Sequence, residues 1–244
     1  QQGTYSGFNQ TSNSSDPDLS LTDGVVLTSG QGTFNTTENT QNSADASTGT
    51  GSYAPLVDLA SNGGLNTNQN DSNVLTFEFT LDDPTENSVS AQFIFATEEY
   101  PTQSVTDIMG IFVNGVNYAF FPNGDLVSNQ SGDPNDFFND NPVGTTAADG
   151  YGLEWNGLTD VFNVIMLAEG DGAVNTISIA IADTSDTIYD SALFFTNLSA
   201  GTTTTGGGIG DEPPDSNVIP LPAGMPLLLA GLGALGLMRR RKRS

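Results

Sequence analysis

The chain reads as an all-β protein, an antiparallel β-sandwich or jelly roll, and three observations predict this. Apolar and polar residues alternate along several short runs. Turn-forming Gly, Asn, Asp, Ser and Thr separate those runs, and no helical stripe stands out ahead of the C-terminal tail.

In residues 75–81 (LTFEFTL), Leu75, Phe77, Phe79 and Leu81 share one face and Thr76, Glu78 and Thr80 the other, the two-residue period of a half-buried strand. Val89, Ala91, Phe93 and Phe95 repeat it. Residues 108–113 and 116–121 flank Asn114-Gly115, a dipeptide suited to the positive φ angles of a tight hairpin. Residues 161–167 form a more continuously apolar strand, Ile177, Ile179 and Ile181 alternate with small or polar residues, and 188–198 supply a late strand. Residues 31–73 and 122–155 are long and polar, and both are expected to be loops, either a binding surface or decoration. The domain is expected over 1–200, followed by a flexible Gly/Thr/Pro linker at 201–217 and a tail at 218–244.

Charge is distributed on one side only. Arg239, Arg240, Arg241, Lys242 and Arg243 are the 5 basic residues of the chain, and all 29 acidic ones precede them, for a net charge of −24. With no His and no Cys, a Ser–His–Asp triad, a Cys–His nucleophile and a His-ligated zinc site each lack a part. A body without cations is expected to bind no nucleic acid, whose affinity rests on Lys and Arg. The chemistry left open to an enzyme is a carboxylate pair acting on a glycosidic bond. The reading preferred here is a protein that is not an enzyme.

The tail has three parts. The apolar run through residue 238 ends in the basic stop, and residues 223–238 would span about 24 Å as a helix against a hydrocarbon core of about 30 Å. Cations at one end place that end in the cytoplasm and the acidic body across the membrane. Val218, Pro220, Leu221, Pro222 and Ala223, then the Leu/Gly/Ala run, then RRRKR, resemble a PEP-CTERM-type sorting signal of the VPLPA variant, with one extra residue, Ile219, in its core. That resemblance implies export from a Gram-negative bacterium and a transient inner-membrane anchor. It further implies removal of the tail by an exosortase and a destination on the cell surface or in extracellular matrix.

The body carries a second resemblance. Residues 18–30 (DLSLTDGVVLTSG), 74–82 (VLTFEFTLD), 93–101 (FIFATEEYP), 107–117 (DIMGIFVNGVN) and 179–195 (IAIADTSDTIYDSALFF), in that order, are similar to the choice-of-anchor L domain, a bacterial surface domain. Thr106 stands where that family usually has Asn, and Asn156 where it usually has Asp. The resemblance implies a location more than an activity.

Within those motifs Glu98, Glu99, Asp107, Asp183, Asp186 and Asp190 fall at strand ends, where chain-distant turns meet. Carboxylates brought together repel unless they protonate or share a cation, and Ca²⁺ accepts six to eight oxygen ligands from irregular loops. One Ca²⁺ site using some of the six is the leading expectation. Backbone hydrogen bonding in turns and a catalytic pair are the alternatives. Asp133, Asn135, Asp136 and Asp140 suggest a solvated loop, and Tyr100, Tyr151 and Trp155 either stack on sugar or pack locally.

The expected function is therefore structural or adhesive, in an exported, calcium-stabilised surface or matrix protein. Extracellular polysaccharide is a possible partner. A carbohydrate-binding module, a carboxylate glycosidase and a self-associating fibre subunit are the competing readings.

Overall fold

In a computed structural model, the structure describes residues 1–12, 16–30, 32–41, 47, 49, 51–101, 105–129 and 137–203, and the backbone of 217–218. The elements in chain order are β1 (Gln2–Tyr5), β2 (Phe8–Gln10), β3 (Leu19–Leu21), β4 (Gly24–Thr28), α1 (Ala54–Asn62), β5 (Gln69–Thr80), β6 (Ser88–Thr97), β7 (Ile108–Val113), β8 (Val116–Asn117), β9 (Phe138–Asp140), β10 (Gly157–Thr159), β11 (Phe162–Leu167), β12 (Val174–Thr184), β13 (Ser191–Gly201) and β14 (Asn217–Val218). The larger sheet runs β1-β4-β13-β6-β10-β9, with β11 also on β6 and β14 on β13; the smaller runs β5-β12-β7-β8. Every strand pairing is antiparallel.

The two sheets face each other across one apolar core. Val25, Leu27, Phe93, Phe95, Leu193 and Phe195 enter it from the larger sheet, and Met109, Ile111, Ile177, Ile179 and Ile181 from the smaller. These are the residues whose two-residue alternation marks them as inward-facing. At the tip of the β7–β8 hairpin, Asn114 and Gly115 adopt φ of 51° and 82°, the positive values a primed turn requires.

The half-buried pattern holds along residues 75–80 of β5 but not along β6, where Val89, Ala91, Phe93 and Phe95 are expected to repeat it. Both faces of β6, β7, β12 and β13 are buried over almost their whole length. Behind the larger sheet, Ile94, Ala96, Ala192 and Phe194 pack with Tyr151, Leu153 and Trp155 and with the β2–β3 hairpin. Behind the smaller one, Ala180, Ala182, Ile108 and Phe112 pack under α1. Described residues from the two stretches read as polar loops therefore cover the outer sheet faces.

Helix α1 is itself a correction, since 31–73 is expected to be loop. Pro55 fits the first turn, Leu56 and Ala60 form a two-tooth apolar stripe one turn apart, and Gly63 with Gly64 (φ 71°) ends the helix. So short a stripe is hidden among polar neighbours. The strand expected over 116–121 shrinks to Val116–Asn117, with a lone bridge from Phe120 to Leu126 closing a turn. Strand β5 starts six residues before the predicted 75, at Gln69.

Among the described residues no helix is long and apolar enough to cross a membrane. Val218 pairs with Ser199 through its backbone. The rest of the sorting motif (Pro220, Leu221, Pro222 and Ala223), the predicted C-terminal helix and Arg239 to Arg243 lie outside the described residues.

Candidate metal centre

The inward-facing alternation does not stop where the apolar core stops. Along β12, Ile177, Ile179 and Ile181 are followed by Asp183; along β6, Phe93 and Phe95 are followed by Thr97 and, in the ensuing turn, Glu99. Reading outward along β7, Ile111 and Met109 lead to Asp107, and along β13, Phe195 and Leu193 lead to Ser191. The same pleat that buries the Ile and Phe side chains thus lays a polar layer between the sheets at one end of the sandwich. Glu99 and Asp183 are fully buried, and Asp107 is 1% exposed.

Three strands of the smaller sheet hold Asp183 and its neighbours in place. Asn70 of β5 pairs with Asp183, and Ile108 of β7 pairs with Ala182 on the other side. Asp71 follows Asn70 at φ 49°, and its Oδ1 accepts a 2.6 Å bond from the Gly49 backbone N–H. In the larger sheet the Ser191 N–H donates to Ser29 Oγ at 2.9 Å, and the Ser29 N–H donates to the Ser191 carbonyl at 3.0 Å. The Ser191 hydroxyl reaches across and donates to Asp107 Oδ2. Asp190 rests against Gly30, where any Cβ would come within 2.1 Å of Asp190 Oδ1.

Few donors meet these acids. Neither oxygen of Glu99 accepts a hydrogen bond, nor does Asp107 Oδ1. Asp183 accepts none of normal geometry at either oxygen, although the Ser29 hydroxyl beside it offsets part of its rise in pKa. Burial first, then the charges of Asp186, Asp183 and Glu98, push the Glu99 carboxyl up to about 8. Burial, then Asp107, Asp190 and Asp71, push Asp183 up to about 10. Asp107 is raised well above the ordinary carboxylate range by burial and by Glu99, Asp186 and Asp190. An apolar surrounding and like charges both favour the protonated acid, and no basic side chain of the described residues opposes them.

All six predicted acids thus lie at one end of the sandwich, in differing settings. Glu99, Asp107 and Asp183 line the space between the sheets. Asp190 packs on Gly30. Asp186 is partly exposed, its carbonyl accepting from Asn70 Nδ2 at 2.7 Å and its Oδ1 from the Ile188 N–H at 3.4 Å, as turn chemistry requires. Glu98 is buried, and its carbonyl accepts from Asn156 Nδ2 at 3.2 Å. Sequence reading misses Asp71, Ser29 and Ser191. Local alternation gives no signal for Asp71, because the register of β5 shifts between Asn73 and Asn70 and Asp71 itself has φ 49°. Among the described residues no group of three or more His, Cys, Asp or Glu side chains is arranged to hold a metal ion.

Other candidates resolve differently. Trp155, Tyr151 and Tyr100 are at most 7% exposed and pack locally, Trp155 against Phe34 and Phe194. Buried Glu154 accepts from the Thr40 and Gln41 backbones. Asp140 is an exposed end of β9, while Asp133, Asn135 and Asp136 lie outside the described residues.

Fold and site together define a class, an antiparallel all-β module whose strands run from an apolar core into a buried acidic end. More particularly, the chain belongs to the choice-of-anchor L domain family, whose model matches residues 1–201, and it is thereby a surface-associated protein. No curated protein and no solved structure matches it.

Proposed function

We propose that this is an exported bacterial surface or extracellular-matrix protein with a structural or adhesive role. In this reading its acidic end binds Ca²⁺, and its tail is removed by an exosortase. The family supports the surface location. The tail reading rests on the order of motif, apolar run and basic stop in the sequence.

The calcium reading is carried by one observation: Glu99, Asp107 and Asp183 are buried, and of their carboxylate oxygens Asp107 Oδ2 alone accepts a hydrogen bond of adequate geometry, from Ser191. Buried ionised carboxylates are costly unless something compensates them. The donor set is oxygen alone, which suits a hard cation and excludes the soft-metal ligands His and Cys. Glu99, Asp107 and Asp183 would hold the ion after side-chain rotations that turn their oxygens toward a shared point. Covered by the sheets, these acids line no open cleft of the kind a glycosidase pair needs.

Melting the full chain with Ca²⁺ and then with excess chelator tests the reading. The expected result is a lower melting temperature in chelator that returns with added Ca²⁺, with metal found by elemental analysis. An unchanged melt and a metal-free protein would overturn it. Tail removal is read from the intact mass of protein recovered from its native cells, which is expected to lack the arginines.

A further inference from the structure

Strand β4 covers only part of the β13 edge beside it. It pairs with Ala192 to Phe195 and begins at Gly24, where a Cβ would meet the Phe195 carbonyl at 2.3 Å. Before Gly24 the chain leaves the sheet. The Thr196 hydroxyl donates to the Asp23 carbonyl at 2.7 Å, the Thr22 hydroxyl donates to Asn197 Oδ1 at 2.8 Å, and β3 packs behind the sheet instead. Beside these contacts β13 shifts register between Thr196 and Ser199, with Asn197 at φ 55°. Past the shift, Ser199 and Ala200 still pair with Ser90 and Val89 of β6 on one side, but β4 no longer reaches the other.

A bare strand edge is a row of N–H and C=O groups that a further strand can satisfy. Here the occupant comes from the same chain: Val218 lies opposite Ser199 and Asn217 opposite Ala200, antiparallel, as β14. The end of β13 is fixed where the chain leaves the domain. The Asn87 N–H donates to the Gly201 carbonyl at 3.1 Å. The Asn87 side chain clasps Thr203, accepting from its N–H at 2.8 Å and donating to its carbonyl at 2.7 Å. With that exit held, the edge is in place to receive the chain on its return at Asn217. Val218 is also the first residue of the segment that resembles a sorting motif. An enzyme that takes an extended peptide holds it by main-chain hydrogen bonds, the groups that β13 engages here. The β13 edge and such an enzyme therefore compete for one stretch of chain.

We infer that the β13 edge beyond β4 is a docking slot for the chain's own Asn217–Val218, and that the docked strand withholds the tail from removal. The second half of this inference rests on the tail reading above. Two paired residues make a short ladder, so docking is reversible and the tail is removed from the undocked fraction alone. The slot exists only when β13 lies on β6, so it is the folded body that restrains the tail.

The chain has no cysteine, so paired cysteines report the docking directly. Opposed Cα atoms of an antiparallel pair are about 4.5–5.5 Å apart, within disulfide reach. Ser199→Cys with Val218→Cys, and Ala200→Cys with Asn217→Cys, are made in the full chain, and at least one of the two pairs should close on mild oxidation. Asp58→Cys with Val218→Cys should stay open, since α1 packs behind the other sheet. The closed protein is then incubated with membranes from its native cells and its intact mass followed. It should lose its arginines about tenfold more slowly than the same protein after reduction. Failure of both matched pairs to close, or equal closure of the Asp58 pair, overturns the slot. Amide exchange on the unaltered chain decides the same point without substitution: protection at Asn217 or Val218 is expected, and free-peptide rates at both overturn the slot. Equal trimming of closed and reduced forms overturns the withholding. An unaltered chain that keeps its arginines overturns the tail reading and the withholding with it, while the disulfide still decides the slot.

Discussion

Two ends of the same strands make the instructive comparison. Strand β7 runs from buried Asp107 through Met109 and Ile111 to the Asn114-Gly115 hairpin, and β12 runs from exposed Val174 through three isoleucines to buried Asp183. Pleat, register and burial are continuous along both, yet the chemistry changes from hydrocarbon to carboxylate within two residues. The apolar part is stable by itself, because its burial removes surface from water. The acidic part is stable only with a counterion or a proton. The two parts should therefore answer differently to calcium, and that difference can be measured.

The largest effect is expected in the core. Phe95→Ala should cost about 3–5 kcal/mol, with nearly the same loss in Ca²⁺ and in chelator, read by denaturant unfolding in both. A loss that depends on calcium would erase the distinction between the two parts.

Asp183→Asn should change sign with the metal. In Ca²⁺ it removes a ligand and destabilises by about 1–3 kcal/mol; in chelator it removes the cost of protonating a buried carboxyl and raises the melting temperature. Destabilisation of similar size in both buffers would mean that Asp183 is merely a structural hydrogen-bonding group.

The pH dependence follows from the raised acids. The folded chain holds the Glu99 proton up to about 8, whereas the unfolded chain releases it near 4.5. Across that window the folded state binds more protons, so metal-free stability falls as pH rises, a loss that Asp183, raised to about 10, extends. In chelator the melting temperature should therefore be higher at pH 5 than at pH 8. With Ca²⁺ the order should reverse, because the ion requires the ionised ligands. A metal-free melting temperature that rises with pH would contradict the buried setting of these acids.

The smallest effect lies at the opposite end of β7. Gly115→Ala, at φ 82°, should cost about 1 kcal/mol through left-handed strain alone, independent of calcium.

The core was legible in the sequence because period-two alternation needs only local reading, as in residues 75–81 and 177–181. The same rule places Glu99, Asp107 and Asp183 inward once the strand bounds are known. Local packing of Trp155 was among the readings the sequence offered, whereas helix α1 was not legible, because it depends on a sheet face whose own burial is a tertiary fact. Asp71 was missed because it sits in a stretch whose polarity suggests a loop, and only its pairing beside β12 extends β5 that far. The hydrogen bond from Ser191 to Asp107 joins residues 84 positions apart, beyond any local pattern.

That long separation has a consequence for the order of events after synthesis. Asp71, Glu99, Asp107, Asp183 and Asp190 come from distant stretches of chain, so no partial length of the polypeptide offers a complete set of ligands. On the calcium reading, an ion is captured only once both halves have come together, which would make the acidic end a test of completeness. On that reading a copy that stops short of residue 190 would stay loose and open to proteases, while the finished one would lock.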